Sequence, residues 1–136
     1  MSHPNIVGVT SIYGANSIVA GVATAGAIES NKSVGVSTVV TNAASSGKVL
    51  KINTLSVTSI GTTTGCTLNI YNTASTHISG TTTVSIGTTV TIPLNSVVSL
   101  IDKNNSIYLD EDQQLGAIAE SDKGSLDLIC SYEEIN

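Results

Sequence analysis

The sequence predicts an all-β fold, an antiparallel β-sandwich or jelly roll, on three observations. Helical periodicity is absent almost everywhere, and short alternating or β-branched runs take its place. Fifteen Ile, fourteen Val and eighteen Thr supply branched Cβ atoms, which suit a pleated sheet. Turns rich in Gly, Asn and Asp divide the chain into about nine short strands, the spacing of a two-sheet fold.

The elements follow in order. Residues 1–15 precede the regular pattern and hold His3, Pro4 and Tyr13. They read as an extended N-terminal arm free to reach a neighbouring subunit, with a frayed end as the plainer alternative. Residues 16–136 then form a single sandwich domain. Its first strand falls within Ile18–Ile28, where glycines and paired β-branched residues outweigh the helix-favouring alanines. A second strand spans Val34–Thr41, and Asn42–Gly47 (NAASSG) is a turn.

Lys48–Ile60 (KVLKINTLSVTSI) is the most informative stretch. Leu50 and Ile52 share one parity, whereas Leu55 and Val57 share the other. Because side chains alternate with period two, a strict strand would send one pair into water. The phase slip predicts a bulge or a sharp bend near Asn53 and Thr54. Cys66–Tyr71 alternates cleanly. Two strands, Thr82–Ile86 and Thr89–Leu94, are predicted around Gly87, with Pro93 at a strand end or on an edge. The pentapeptide SIGTT occurs at Ser59–Thr63 and Ser85–Thr89 and reads either as two similar strand ends or as coincidence. Val97–Ile101, the turn Asp102–Asn105, Ile107–Leu109, Gln114–Ala119 and Leu126–Tyr132 complete the set.

Composition bounds the function. The 136 residues suffice for one aliphatic core without metals or disulfides. Charged residues make up 11% of the chain, well under the roughly 25% of soluble domains, so part of the outer surface is expected to meet protein, as in an obligate oligomer or assembly subunit, with a monomer kept soluble by its Ser/Thr coat as the alternative. A net charge of −5, with five scattered Lys and no Arg, argues against nucleic acid and against anionic membranes as partners. No secretion signal is apparent at the start, and Ile18–Ile28 is too short to span a bilayer. Cys66 and Cys130 share strand faces with apolar residues and read as buried free thiols.

Catalytic chemistry finds little to work with. The two histidines, His3 and His77, sit in the tail and beside a Ser/Thr loop, without the oriented third group a hydrolytic triad needs. Zinc motifs and glycine-rich phosphate loops are missing. Asp110-Glu111-Asp112 is the one concentration of charge; consecutive turn residues diverge, so it reads as a solvated turn rather than a calcium site. Glu133 and Glu134 have the same reading. Of Tyr13, Tyr71, Tyr108 and Tyr132, Tyr108 stands out, because it points away from Ile107 and Leu109 toward either a contact face or an ordinary half-buried position. No catalytic, cofactor-binding or metal-binding residue is assigned, and no enzyme is expected.

Four phrases carry a resemblance: Ser11-Ile12-Tyr13-Gly14, VTNAASSGKVLKINTLSV (Val40–Val57), SIYLDEDQQL (Ser106–Leu115) and the ending CSYEEIN (Cys130–Asn136). In these the chain resembles small virion structural proteins of tailed bacteriophages, closest to marine and cyanobacterial phage members. The resemblance implies a place in the virion, made in the host cytoplasm, and transfers no site residues. Capsid decoration (cement) proteins are compact β-domains, often homotrimers, that bind the major capsid protein on the outer head surface. That role is expected ahead of a tail or fibre-associated protein, and ahead of a sandwich module binding a sugar or an ion.

Overall fold

A computed structural model of the chain describes residues 8–22, 37–61, 63–72, 84–120 and 126–136. These hold nine strands: β1 (Ile12–Ala20), β2 (Ser37–Asn42), β3 (Val49–Ser59), β4 (Thr64–Asn72), β5 (Val84–Ile92), β6 (Val97–Ile101), β7 (Ile107–Leu109), β8 (Gln113–Ala119) and β9 (Leu126–Ile135). Every pairing among them is antiparallel. The strands are laid out as one long hairpin, in which β4 pairs with β5, β3 with β6 and β7, β2 with β8, and β1 with β9. Rolling the hairpin sets β3 beside β9 and β4 beside β8. Sheet A therefore runs β1-β9-β3-β6, with β7 also on β3, and sheet B runs β2-β8-β4-β5. This wiring is that of a jelly roll, one of the two predicted forms.

The core lies between the sheets. Leu55, Val57, Leu128 and Cys130 come from sheet A, and Cys66, Leu68, Leu115 and Ala117 from sheet B. Asn42 is buried among them, and its amide donates to the Lys48 and Leu109 carbonyls at 2.9 and 3.1 Å. That side chain ties the β2–β3 turn to the end of β7.

β3 resolves the phase slip by a bulge inside one strand. Ile52 pairs with Tyr132 and Thr54 with Ser131, so Asn53 is an extra residue with no opposite number on β9. Leu50 and Ile52 before it, and Leu55 and Val57 after it, all turn to the core and are buried. The bulge also marks a change of neighbour on the far edge of β3. Leu50–Ile52 pair with β7, whereas Leu55–Thr58 pair with β6.

Several expectations need correcting. Ile12–Ala15, expected in the arm, form the first part of β1, and Thr10 and Ser11 bond to Asn136. Residues 1–7 of that arm lie outside the described residues. The pairing decides the boundary, since β9 offers Ile12–Ala20 an unbroken row of partners. The two strands predicted around Gly87 are one continuous β5, held through its irregularity by register shifts against β4 and a left-handed Thr89 (φ 50°). The SIGTT copies consequently differ: Ser59 ends β3, whereas Ser85–Thr89 lies inside β5. β9 runs on to Ile135, past the predicted end at Tyr132, because β1 and β3 both continue beside it.

The bulge gives a test of register. Deleting Asn53 leaves the inward alternation of β3 intact on both sides, so cooperative thermal unfolding, followed by circular dichroism, is expected to survive. Deleting Ser56 turns Val57 to solvent and is expected to abolish the transition. Leu55→Ala, a cavity in the same strand, is expected to cost about 2–5 kcal/mol in chemical denaturation.

Candidate docking face

The outer face of sheet A is built from residues of one parity on each strand. Ile18 of β1 lies opposite Ile129 of β9, Ile129 opposite Ser56 of β3, and Ser56 opposite Ser99 of β6. The next row reads Ala20, Asp127, Thr58 and Val97, and the row on the other side Asn16, Ser131 and Thr54. Ile18 is 69% exposed, Val97 63% and Ile129 55%. Ile12 and Tyr108 are exposed farther along the same face.

Charge on this face is held at its margins. Asp127 accepts from the Gly21 N–H at 2.9 Å, which stabilises the left-handed Gly21 that ends β1. Lys51 and Glu133, cross-strand neighbours on β3 and β9, form an ion pair at 3.7 Å. Between these pairs the surface offers aliphatic side chains and hydroxyls, with Asn16 its one amide in these rows. Ten residues of β9 at about 3.3 Å each, across four strands spaced about 4.8 Å apart, give a plane of roughly 600 Å². A standard interface takes about 800 Å² from each partner, so this face alone supplies most of one.

Several titratable groups elsewhere are tied into the fold. Glu111 accepts from the Gly47 N–H at 2.7 Å, and Asp112 from the Asn72 amide at 2.6 Å. Neighbouring carboxylates of the acidic turn thus serve different loops. Glu134 pairs with Lys48 at 2.7 Å, a hydrogen bond that raises the Lys48 pKa. Among the described residues no group of three or more His, Cys, Asp or Glu could hold a metal ion. No described helix is long and apolar enough to cross a membrane. His3 and His77 lie outside the described residues.

The tyrosines divide by environment. Tyr108 is exposed on the outer face of sheet A, beside Lys51. Tyr71 is buried on the outer side of sheet B, with its hydroxyl 3.3 Å from that of Thr38. Burial and then the nearby Glu134 raise the Tyr132 phenol. Tyr13 is exposed near the start of β1. A cleft of about 230 Å³ lies between Ile70, Tyr71, Asn72, Val84 and Gln113, below the roughly 300 Å³ at which small-molecule sites begin.

Composition led to the expectation of a surface that meets protein and gave no location for one. Ile18 and Ile129 were the residues missed. Their signal was present: in LDLICSYEEI, Ile129 has the opposite parity to Leu126, Leu128 and Cys130, which places one isoleucine outside. No protein-family model matches the chain, and no curated protein is significantly similar to it.

Cys66 and Cys130 are free and fully buried on the inner faces, as their apolar neighbours suggested. Burial pushes Cys66 up to about 11, with a smaller push from Glu120, and burial alone pushes Cys130 up to about 12. The fold thus favours the neutral thiol. Its contribution to stability is complete below the unfolded value near 9 and is lost as pH climbs through 9 toward 11 and 12. A thiol reagent at pH 8 is expected to label neither cysteine until denaturant is added. Unfolding free energy is expected to fall above pH 9, less steeply in Cys130→Ala.

Proposed function

We propose that the protein is a bacteriophage virion structural protein, a decoration (cement) protein that binds the outer head surface and stabilises the shell through protein–protein contacts. One observation carries this reading: the outer face of sheet A presents exposed isoleucine, valine and hydroxyl groups, with its charges paired or capped at the margin. Such a surface suits adhesion, since burying its aliphatic atoms is favourable and few ions must be stripped of water.

The resemblance supplies the partner, the major capsid protein. Jelly rolls recur in viral capsid and lectin domains, an analogy of fold that leaves the role to be argued from surfaces. Weak contacts made by each copy add up when a lattice presents many equivalent sites. A tail or fibre-associated role draws on the same face. An ion-binding module has less support, because two carboxylates of the acidic turn already serve as acceptors for Gly47 and Asn72.

Binding to purified phage heads lacking the protein tests the reading. Wild-type protein is expected to co-sediment with such heads, and Ile129→Asp to weaken that binding at least about tenfold. Thermal stability should change little, because Ile129 is exposed. Wild-type protein that ignores the heads, or an Ile129→Asp variant that binds them equally, overturns the docking role of this face.

A further inference from the structure

A sheet edge presents unpaired N–H and C=O groups, and proteins commonly protect it with charge, proline, bulges or short strands. Three edges here follow that rule. β2 is bulged between Thr38 and Val40, and the carbonyl of the intervening Val39 is taken up by the Ser17 hydroxyl at 2.6 Å. β5 shifts register twice against β4. The far edge of β3 is covered by the five-residue β6 and the three-residue β7.

β1 does not follow it. Its nine residues, IYGANSIVA, include no charged residue and no proline, and they pair with β9 without a register shift. The ladder fixes which groups face out. Ser11 and Asn136 exchange N–H···O bonds in both directions, so odd-numbered residues of β1 bond to β9. The N–H and C=O groups of Ile12, Gly14, Asn16 and Ile18 therefore point to the open edge. No described residue pairs with them.

We infer that β1 is a self-pairing edge, through which two copies of this chain join antiparallel about a two-fold axis at Ala15. In this register Ile12 lies opposite Ile18 of the partner subunit, and Gly14 opposite Asn16 of the partner subunit. All four are residues whose backbone groups face out, so each such pair exchanges two hydrogen bonds. The side chains of Ile12 and Ile18 lie on the outer face of sheet A, and the pairing continues the row that begins at Ile129. An axis at Asn16 would instead set Ile12 against Ala20 of the partner subunit and Ile18 against Gly14 of the partner subunit, leaving the isoleucines unmatched. The absence of charge on β1 removes like-charge repulsion across the axis.

The result is one sheet of doubled width, with the two outer faces side by side. An isologous contact closes at two copies, in place of the trimer that the family resemblance implies. About seven residues of strand, on the side of a sandwich two layers thick, bury roughly 400–500 Å² per copy, which places the pair among weak interfaces of micromolar affinity. The inference is separable from the virion role, because it rests on the open backbone edge of β1 and needs no capsid, although Ile12 and Ile18 also belong to the outer face of sheet A.

Light scattering and sedimentation equilibrium across about 1–200 µM, the range set by so small an interface, test it. Wild-type protein is expected to shift from monomer to dimer within that range. Ile12→Lys, which acts at both Ile12–Ile18 pairs of the symmetric dimer, is expected to raise the dimer dissociation constant about 100-fold. Adding Ile18→Glu to it sets each introduced lysine opposite the introduced glutamate of the other copy, and affinity should return to within about tenfold of wild type. Asn16→Pro removes an open-edge donor without touching the bonds to β9, and gives a second route to the monomer if Ile12→Lys does not fold. A wild type that stays monomeric or forms trimers overturns the inference. A dimer indifferent to both single changes does the same, as does a double variant no tighter than Ile12→Lys.

Discussion

Side chains on a strand alternate without exception, and β3 is where that constraint bears hardest. It lies between β9 and the β6/β7 pair, so both of its edges and its inner face are committed. Four large residues must turn inward, and the spacing of Ile52 and Leu55 forbids this on a regular strand. The unpaired Asn53 absorbs the discrepancy. It also bends the strand where one edge neighbour gives way to the next, so β6 and β7 can both lie against a single β3. The sandwich closes around this compromise, with β9 matching β3 on both sides of the bulge.

Much of this was legible in the chain itself. The phase slip at Asn53 is arithmetic on four residues, and the inward faces of Cys66 and Cys130 follow from their apolar neighbours. β5 was harder. Gly87 and the Ser/Thr around it looked like a break, whereas register shifts against β4 allow one strand to run through. Ile12–Ala15 read as an arm because Gly14 and Asn16 are poor strand formers, and the partner row on β9 lies more than a hundred residues away. Local propensity does not register a neighbour so distant. The exposed apolar face of sheet A was half legible: Ile129 announces itself by parity, whereas Ile18 becomes its neighbour only once the β1–β9 register is known.

The surface chemistry follows from the composition. With five Lys and ten acidic residues, the chain has few charges, and most of those on the described sheets are tied to a specific partner. Lys48, Lys51, Glu111, Asp112 and Asp127 each hold a strand end, a turn or a cross-strand neighbour. What remains outward on sheet A is mostly hydroxyl and aliphatic, with the Asn16 amide and the Tyr108 ring among them. Threonine and serine keep such a surface wetted while exposing few ions to be desolvated when another protein covers it. The same economy leaves the interior, among the described residues, with two neutral thiols and no ionised group.

The placement of β9 has a consequence for how the chain comes off the ribosome. It is the last of the nine strands to be made, yet it sits between β1 and β3 and supplies the hydrogen bonds for both. Throughout synthesis those two wait with open edges, and sheet A has no continuous middle. Closure joins Ile12–Ala20 to strand residues more than a hundred positions later, an ordering in which loop entropy is spent before the contacts repay it. Nascent chains stalled before Leu126 would carry the other strands of this sheet without the one that joins them, a state prone to capture by neighbours or chaperones until β9 emerges.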